Sequence, residues 1–130
     1  MIIRFQIISL LYPCNNTNGR IEIIAVEVTM SKEKWLFISV YKQPKAKLNT
    51  IIECIDNIMN QCVNSDFNVV LIGNFSVNML KKNKDFKDCL NVNGLSNIVK
   101  KATCFKGVPF LIDLIITNRP KRFINTVSVK

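Results

Sequence analysis

The stretch Asn68-Val-Val-Leu-Ile-Gly-Asn-Phe-Ser-Val-Asn78 decides the fold of this chain. Its apolar run at residues 69 to 72 is short and closes at Gly73, which predicts a buried strand. Asn74 and Ser76 follow within three residues of that glycine. The stretch therefore predicts a strand end that carries two polar side chains.

A helix is predicted immediately before this strand. Its apolar residues follow the i, i+3, i+4, i+7 spacing of one helix face. They are Leu48, Ile51, Ile52, Ile55, Ile58, Met59 and Cys62. Thr50 and Glu53 have the spacing of a capping box. Polar residues 64 to 66 end the pattern, so we expect a helix that ends at residue 62.

Further upstream, two apolar runs at residues 21 to 28 and 35 to 41 predict neighbouring strands separated by residues 29 to 34. Both runs are apolar nearly throughout, which favours strands covered on both faces. Residues 1 to 12 predict another strand, because the run is too short and too polar for a membrane helix. It also lacks the features of a signal peptide. We therefore expect an intracellular protein, nuclear or cytoplasmic, that is not secreted and does not bind membranes.

Downstream, residues 85 to 92 predict a second helix, which Asn93-Gly94 would stop. Short apolar stretches follow around residues 95 to 99 and 102 to 105. Residues 111 to 116 and 123 to 129 then predict two more strands. This order of elements suits an α/β sandwich with helices outside paired sheets, although the pattern leaves the topology open.

The charge is concentrated towards the C-terminus. The formal net charge is +9, and 11 of the 18 Lys and Arg residues lie between residues 80 and 130, against three of the nine acids. A polyanion is the natural partner for such a surface. A solvated basic face is the alternative, and charge alone does not separate the two.

The five cysteines are odd in number and scattered, and the chain contains no His. Neither a structural zinc site nor a disulfide framework is therefore expected. We interpret these cysteines as reduced, small apolar residues.

Four segments carry a resemblance to a known family. Residues 68 to 78 are similar to its strand-end motif Gly-Asp-Phe-Asn, and residues 35 to 44 are similar to its Tyr-Arg-Pro-Pro strand end. Residues 102 to 106 are similar to its Pro-Thr-Cys-Phe-Lys segment, and residues 111 to 125 to its Ile-Asp-Leu strand. In this order they resemble the endonuclease/exonuclease/phosphatase family, in particular the endonuclease domain of non-long-terminal-repeat retrotransposons. The resemblance implies a four-layered α/β sandwich.

The resemblance also implies site positions. In this family a divalent metal, usually magnesium, helps water attack a phosphodiester. The catalytic aspartate of Gly-Asp-Phe-Asn corresponds to Asn74, and its asparagine corresponds to Ser76. Tyr41 matches the tyrosine at the strand end, and Asp113 matches the aspartate of Ile-Asp-Leu, which in the family holds a histidine. Thr103 is a further surviving position.

Several family features have no counterpart in the sequence. The early asparagine, the metal-binding glutamate and the histidine are missing, so residues 1 to 130 are expected to form one partial domain, with the resemblance covering about residues 21 to 130. Magnesium belongs to the family, and we expect none to bind here. Self-association through exposed strand edges and apolar strand faces is also expected of half a sandwich.

Two functions are consistent with these observations. One is a degenerate retrotransposon endonuclease fragment, ancestrally a metal-dependent DNA phosphodiester hydrolase and now inactive. The other is a small basic module that binds nucleic acid, DNA in particular, without catalysis. The basic residues expected to contact phosphates are Lys81, Lys82, Lys100, Lys101, Lys106, Arg119, Lys121 and Arg122.

Overall fold

Strands make up most of the regular structure, with two helices between them. The computed structural model describes residues 4–12, 21–62, 66–77, 79, 83–100 and 113–123. The strands are β1 (Arg4–Tyr12), β2 (Ile21–Met30), β3 (Glu33–Lys42), β4 (Phe67–Asn74), β5 (Ser96–Asn97) and β6 (Asp113–Thr117). The helices are α1 (Leu48–Cys62) and α2 (Lys84–Val92), and a 3₁₀ turn follows at Pro120–Arg122.

The six strands form one mixed sheet in the order β1-β2-β3-β4-β6-β5. β3 and β4 are parallel, whereas the other neighbouring pairs are antiparallel. A parallel pair needs a crossover connection, and α1 supplies it between β3 and β4. Each strand and helix predicted up to residue 117 is thus present, and the sheet order supplies the topology that the pattern left open.

β2 and β3 form a longer hairpin than predicted. The segment from residue 29 to residue 34, expected to separate the strands, contributes four residues to them, and only Ser31 and Lys32 form the turn. Both turn residues have positive φ angles, 48° and 68°. Two successive left-handed residues match the twist of a tight hairpin, so the strands continue to the turn.

One face of the sheet carries the main core. Side chains from four strands, among them Ile23, Ile38, Leu71 and Ile116, are at most 1% exposed there. They pack against the buried faces of α1 and α2. At the end of β4 the ring of Phe75 lies 6.0 Å from that of Phe86 on α2, centroid to centroid. The end of β4 is therefore anchored to the helical layer.

The opposite face of the sheet corrects one expectation. β2 alternates between buried and exposed residues in its first half, and Ile24 and Ile72 are 51% and 44% exposed. The prediction that the strands at residues 21 to 28 and 35 to 41 are covered on both faces is therefore wrong for the part of β2 around Ile24, because α1 and α2 pack on one face only. Near the β2–β3 turn, by contrast, Val28, Trp35 and Val70 form a second buried cluster.

The ends of the two helices show which of the predicted capping residues lie at a helix end in the structure. α1 spans the predicted residues, but Thr50 already lies inside it, and its backbone N–H donates to Lys47 O at 3.1 Å. The predicted Thr50 capping box is therefore wrong, because the helix begins two residues earlier. α2 ends as predicted at Val92, and Gly94 follows its cap residue with a φ of +67°. The N–H of Leu95 donates to Leu90 O at 2.8 Å, closing a Schellman motif.

Some predictions fall on residues that the structure does not describe. They are residues 1 to 3 of the first predicted strand, the stretch at 102 to 105, the first two residues of the strand predicted from 111 and, after Phe123, the rest of the strand predicted at 123 to 129. Cys54, Cys62 and Cys89 form no disulfide. Across the described ranges, no helix is both long and apolar enough to cross a membrane.

Candidate functional site

Three of the predicted site residues stand in one row across the sheet. Tyr41 on β3 is opposite Asn74 on β4, and Asn74 is opposite Asp113 on β6. Residues opposite one another on neighbouring strands point to the same face, about 5 Å apart. The row lies on the face away from the helices, where Tyr41 is 44% exposed. The sheet thus brings together positions that are up to 72 residues apart in the chain.

The row contains a carboxylate that sequence reasoning missed. Glu22 on β2 is opposite Tyr41, so the row reads Glu22, Tyr41, Asn74, Asp113 from one side to the other. Its two carboxylates stand three strand spacings apart, about 14 Å between their backbones. The register of the β2–β3 hairpin puts Glu22 there, and no motif in the sequence indicates it.

Asn74 and Ser76 are tied into a local turn. The backbone N–H of Ser76 donates to Asn74 Oδ1 at 2.8 Å, and the Ser76 hydroxyl donates to Lys42 O at 2.7 Å. Ser76 Oγ also lies 3.4 Å from Asn74 Oδ1, but a hydroxyl has one proton, and the shorter contact takes it. The amide oxygen of Asn74 and the hydroxyl proton of Ser76 are therefore both engaged within the turn.

Gly73 allows the strand end to approach β3 closely. Its φ is +147°, and a Cβ at this position would lie 1.9 Å from Val40 O. No side chain fits at such a distance from a backbone oxygen. The retained glycine of the motif therefore has a steric reason in this sheet, and it sets the position of Asn74 beside Tyr41.

Among the described residues of the row, Asp113 is the one carboxylate next to Asn74. Magnesium in proteins is held by carboxylate and other oxygen ligands in a strict octahedral geometry. Within the parts of the chain that the structure describes, no group of three or more His, Cys, Asp or Glu side chains is placed to hold a metal. Asp113 has Asn74 as its neighbour in the row, and the amide oxygen of Asn74 already accepts a hydrogen bond from Ser76.

The predicted phosphate-contacting residues that the structure describes lie at two separate places. Arg119, Lys121 and Arg122 follow β6, whereas β5 runs antiparallel to β6 and carries the chain to Lys100, towards the Asp113 end. Lys100 is therefore separated from the three others along the length of β6. The remaining predicted positions, Lys81, Lys82, Lys101 and Lys106, and also Thr103, lie outside the described residues.

Comparison with known proteins identifies the fold. No protein-family model matches the sequence, and no curated protein matches it. Solved structures do match, and some of them are described as endonuclease/exonuclease/phosphatase family proteins. The endonuclease domain of TRAS1, a telomere-specific non-LTR retrotransposon, has a TM-score of 0.64 and 15% identity, covering 86% of this chain and 53% of that domain.

Two other matches show what proteins of this fold hold. A TDP2 structure from D. rerio, complexed with a single-strand DNA product, has a TM-score of 0.58 and 10% identity over 88% of this chain and 53% of that one. A beta toxin from Staphylococcus aureus with bound magnesium ions has a TM-score of 0.55 and 16% identity over 75% and 42%.

These comparisons confirm the predicted α/β fold class and the resemblance to endonuclease/exonuclease/phosphatase proteins at the level of the fold. The chain spans about half the length of the structures it matches.

Proposed function

We propose that this chain is an endonuclease-type domain that keeps the scaffold of a phosphodiester hydrolase without its activity. The observation that carries the proposal is the position of Asn74. It lies between Tyr41 and Asp113 in the row, at the end of β4. In the family that the sequence resembles, this position is the aspartate of Gly-Asp-Phe-Asn.

The chemical reason lies in the carboxamide. Unlike a carboxylate, it does not accept a proton from water near neutral pH. Loss of one general acid or base costs on the order of a hundred- to ten-thousand-fold in rate. Asn74 Oδ1 also accepts the Ser76 N–H at 2.8 Å, which keeps it in the turn. Both properties argue against activation of a water molecule by Asn74.

A plasmid-nicking assay with magnesium tests the proposal. We expect no nicking above the background of a mock preparation, with or without EDTA. Asn74→Asp should also be inactive, because Ser76 still replaces the asparagine of the motif and the chain contains no histidine. Turnover that is abolished both by EDTA and by Asp113→Ala would overturn the proposal.

A second candidate function is nucleic-acid binding without catalysis. It is favoured by one observation, the convergence of Arg119 and Arg122 on a single cleft with two lysines. Binding to phosphates predicts an affinity that decreases steeply with salt, with a slope set by the number of contacts. Fluorescence anisotropy of a labelled oligonucleotide measures it, and absence of binding at low ionic strength would remove this function.

A further inference from the structure

A basic cleft lies at the end of the sheet opposite to the row of Asn74. It has a volume of about 450 Å³ between the β2–β3 turn, the start of β4 and the residues after β6. Its lining residues are Lys32, Glu33, Lys34, Asp66, Asn68, Arg119 and Arg122. Four cations face two carboxylates, so the cleft has a net positive charge. An anion is therefore the ligand it favours.

Arg119 is held in a fixed position in this basic cleft. Its Nε donates to Asn68 Oδ1 at 2.8 Å, and Asn68 is 6% exposed. Asn68 in turn donates to Lys34 O at 3.3 Å, and the Arg119 backbone N–H donates to Thr117 Oγ1 at 3.1 Å. A guanidinium held in this way loses less side-chain freedom when it binds a phosphate.

The remaining contact of Arg119 is weak. Its Nη2 lies 3.4 Å from Asp66 Oδ1, and the Asp66 side chain is 98% exposed. Exposed pairs of this kind contribute little stability, because both groups are well solvated. A phosphate can therefore take the place of Asp66 on the guanidinium at small cost.

Arg122 links the basic cleft to a second cavity. Its Nη1 lies 3.0 Å from Glu33 Oε1, and its guanidinium carbon lies 5.4 Å from the centre of the Trp35 ring. The hydrogen bond from Arg122 lowers the pKa of Glu33, so both groups are charged at neutral pH. Arg122 thus forms part of the walls of both cavities.

The second cavity is an aromatic pocket of about 210 Å³, lined by Met30, Trp35, Phe37, Arg122 and Phe123. Trp35 stacks on Phe37 with ring centroids 5.8 Å apart, and Phe123 meets Trp35 edge-on at 6.3 Å. Phe37 and Phe123 are both partly exposed. The pocket therefore presents aromatic rings and a cation to a ligand.

We propose that the basic cleft and the aromatic pocket together bind one nucleotide unit of a single-stranded nucleic acid. The base enters the aromatic pocket beside Arg122, and the adjoining phosphate binds Arg119 and Lys32. Stacking on aromatic rings beside a positive groove is how proteins bind single strands without reading sequence. A base inside a duplex is already stacked and cannot enter such a pocket. The inference rests on the nucleic-acid-binding function proposed above and assigns its site.

The fluorescence of Trp35 tests the proposal directly, because the chain contains a single tryptophan. The full chain is titrated at low ionic strength with a twelve-residue oligothymidylate, with thymidine monophosphate and with inorganic phosphate. We expect a saturable change in Trp35 emission with the oligonucleotide and, at higher concentration, with the mononucleotide. Inorganic phosphate should compete with both while changing the emission little. A duplex of equal length should leave the emission unchanged.

Two variants test whether the phosphate binds Arg119 and Lys32. Arg119→Gln and Lys32→Asn should each weaken oligonucleotide binding roughly tenfold, since each removes a charge-assisted contact. Lys32→Asn also keeps the hairpin intact, because asparagine tolerates the positive φ of this turn. Lys45→Gln removes the same charge from an exposed residue beyond the other end of β3. It should change the affinity by less than about twofold.

Three outcomes would overturn this assignment. One is oligonucleotide binding, detected by anisotropy, that leaves Trp35 emission unchanged. Another is an equal loss of affinity in Lys45→Gln and Lys32→Asn. The third is an equal emission change with the duplex. In each case salt-dependent binding can persist, so failure of this site is distinguishable from failure of the binding function itself.

Discussion

Asn118 continues the pairing of β6 with β4 through its side chain. Its Oδ1 accepts the backbone N–H of Val69 at 2.8 Å, and its Nδ2 donates to Phe67 O at 3.0 Å. The Asn118 carboxamide thus pairs with one backbone donor and one backbone acceptor of β4, as the backbone of a residue in a neighbouring strand would. The chain leaves β6 at this point, and the side chain keeps it against β4, next to Arg119.

Asn118→Ala should destabilise the fold by about 1–3 kcal/mol, because the Val69 N–H loses its acceptor in a fully buried residue. Urea denaturation followed by circular dichroism measures the change. Asn57→Ala replaces an exposed asparagine on α1 and should stay within about 0.5 kcal/mol of the parent. Equal stability of the two variants would show that the Asn118 contacts contribute nothing.

Gly73→Ala should destabilise the chain by at least about 3 kcal/mol, because the new methyl group meets the Val40 carbonyl at a strained φ. Gly94→Ala is the matched variant. It meets no atom within 4 Å, so only its positive φ counts, and a loss of about 1 kcal/mol is expected. Thermal unfolding ranks the two, and a Gly73→Ala protein as stable as Gly94→Ala would contradict the close approach.

The Cys89 thiol should be slow to react. Burial, followed by the charge of Asp56 and a hydrogen bond to it at 3.6 Å, raises the pKa of Cys89 from 9.0 to about 11. Asp56→Asn should move this pKa back towards 9.0 and speed alkylation at pH 8.5. Peptide-resolved iodoacetamide labelling measures the rate at Cys89 against that at Cys62. No acceleration in Asp56→Asn would exclude the carboxylate as a cause.

The same raised pKa makes stability depend on pH. The unfolded chain loses the Cys89 proton near pH 9.0, whereas the folded chain keeps it up to about pH 11. Stability is therefore fully present below pH 9.0 and decreases between pH 9.0 and about 11. Urea midpoints across this range should show a smaller decrease in Cys89→Ala. An unchanged decrease in that variant would assign the effect to other groups.

Self-association stays a prediction, and the exposed face of the sheet indicates how to test it. Ile24 and Ile72 lie on that face, with Ser39 between them in register. Ile72→Thr keeps a β-branched residue and should lower the association of the chain at high concentration. Val92→Thr, at a residue 84% exposed on α2, is the control. Sedimentation velocity measures the association, and a parent chain that stays monomeric at all concentrations would refute the prediction.

The long helix and the main strands could be predicted from the sequence, because their apolar spacing reflects burial directly. The stripe from Leu48 to Cys62 gives the exact bounds of α1. The turn at Ser31 could not be predicted, because neither Ser31 nor Lys32 is a residue typical of positive φ. The exposure of Ile24 was missed for a related reason. An apolar run shows that a strand can be covered on two faces, and only tertiary packing decides whether it is.

The candidate row was predictable only in part. Tyr41, Asn74 and Asp113 were identified by motif resemblance, and their alignment depends on strand register that a single sequence does not contain. The basic cleft was even harder to predict from the sequence, because Lys32 and Arg119 come together only through the order in which β3, β4 and β6 pair. Sequence reasoning named Arg119 and Arg122 but had no basis for joining them to Lys32 and Asn68.

The length of β4 has a consequence for how this domain evolves. With a rise of about 3.3 Å per residue, Asn68 at one end of β4 is about 20 Å from Asn74 at the other. Substitutions so far apart and without shared partners have additive effects. One end of the sheet can therefore accumulate substitutions while the other evolves under separate constraints, and neither set adds to the cost of the other.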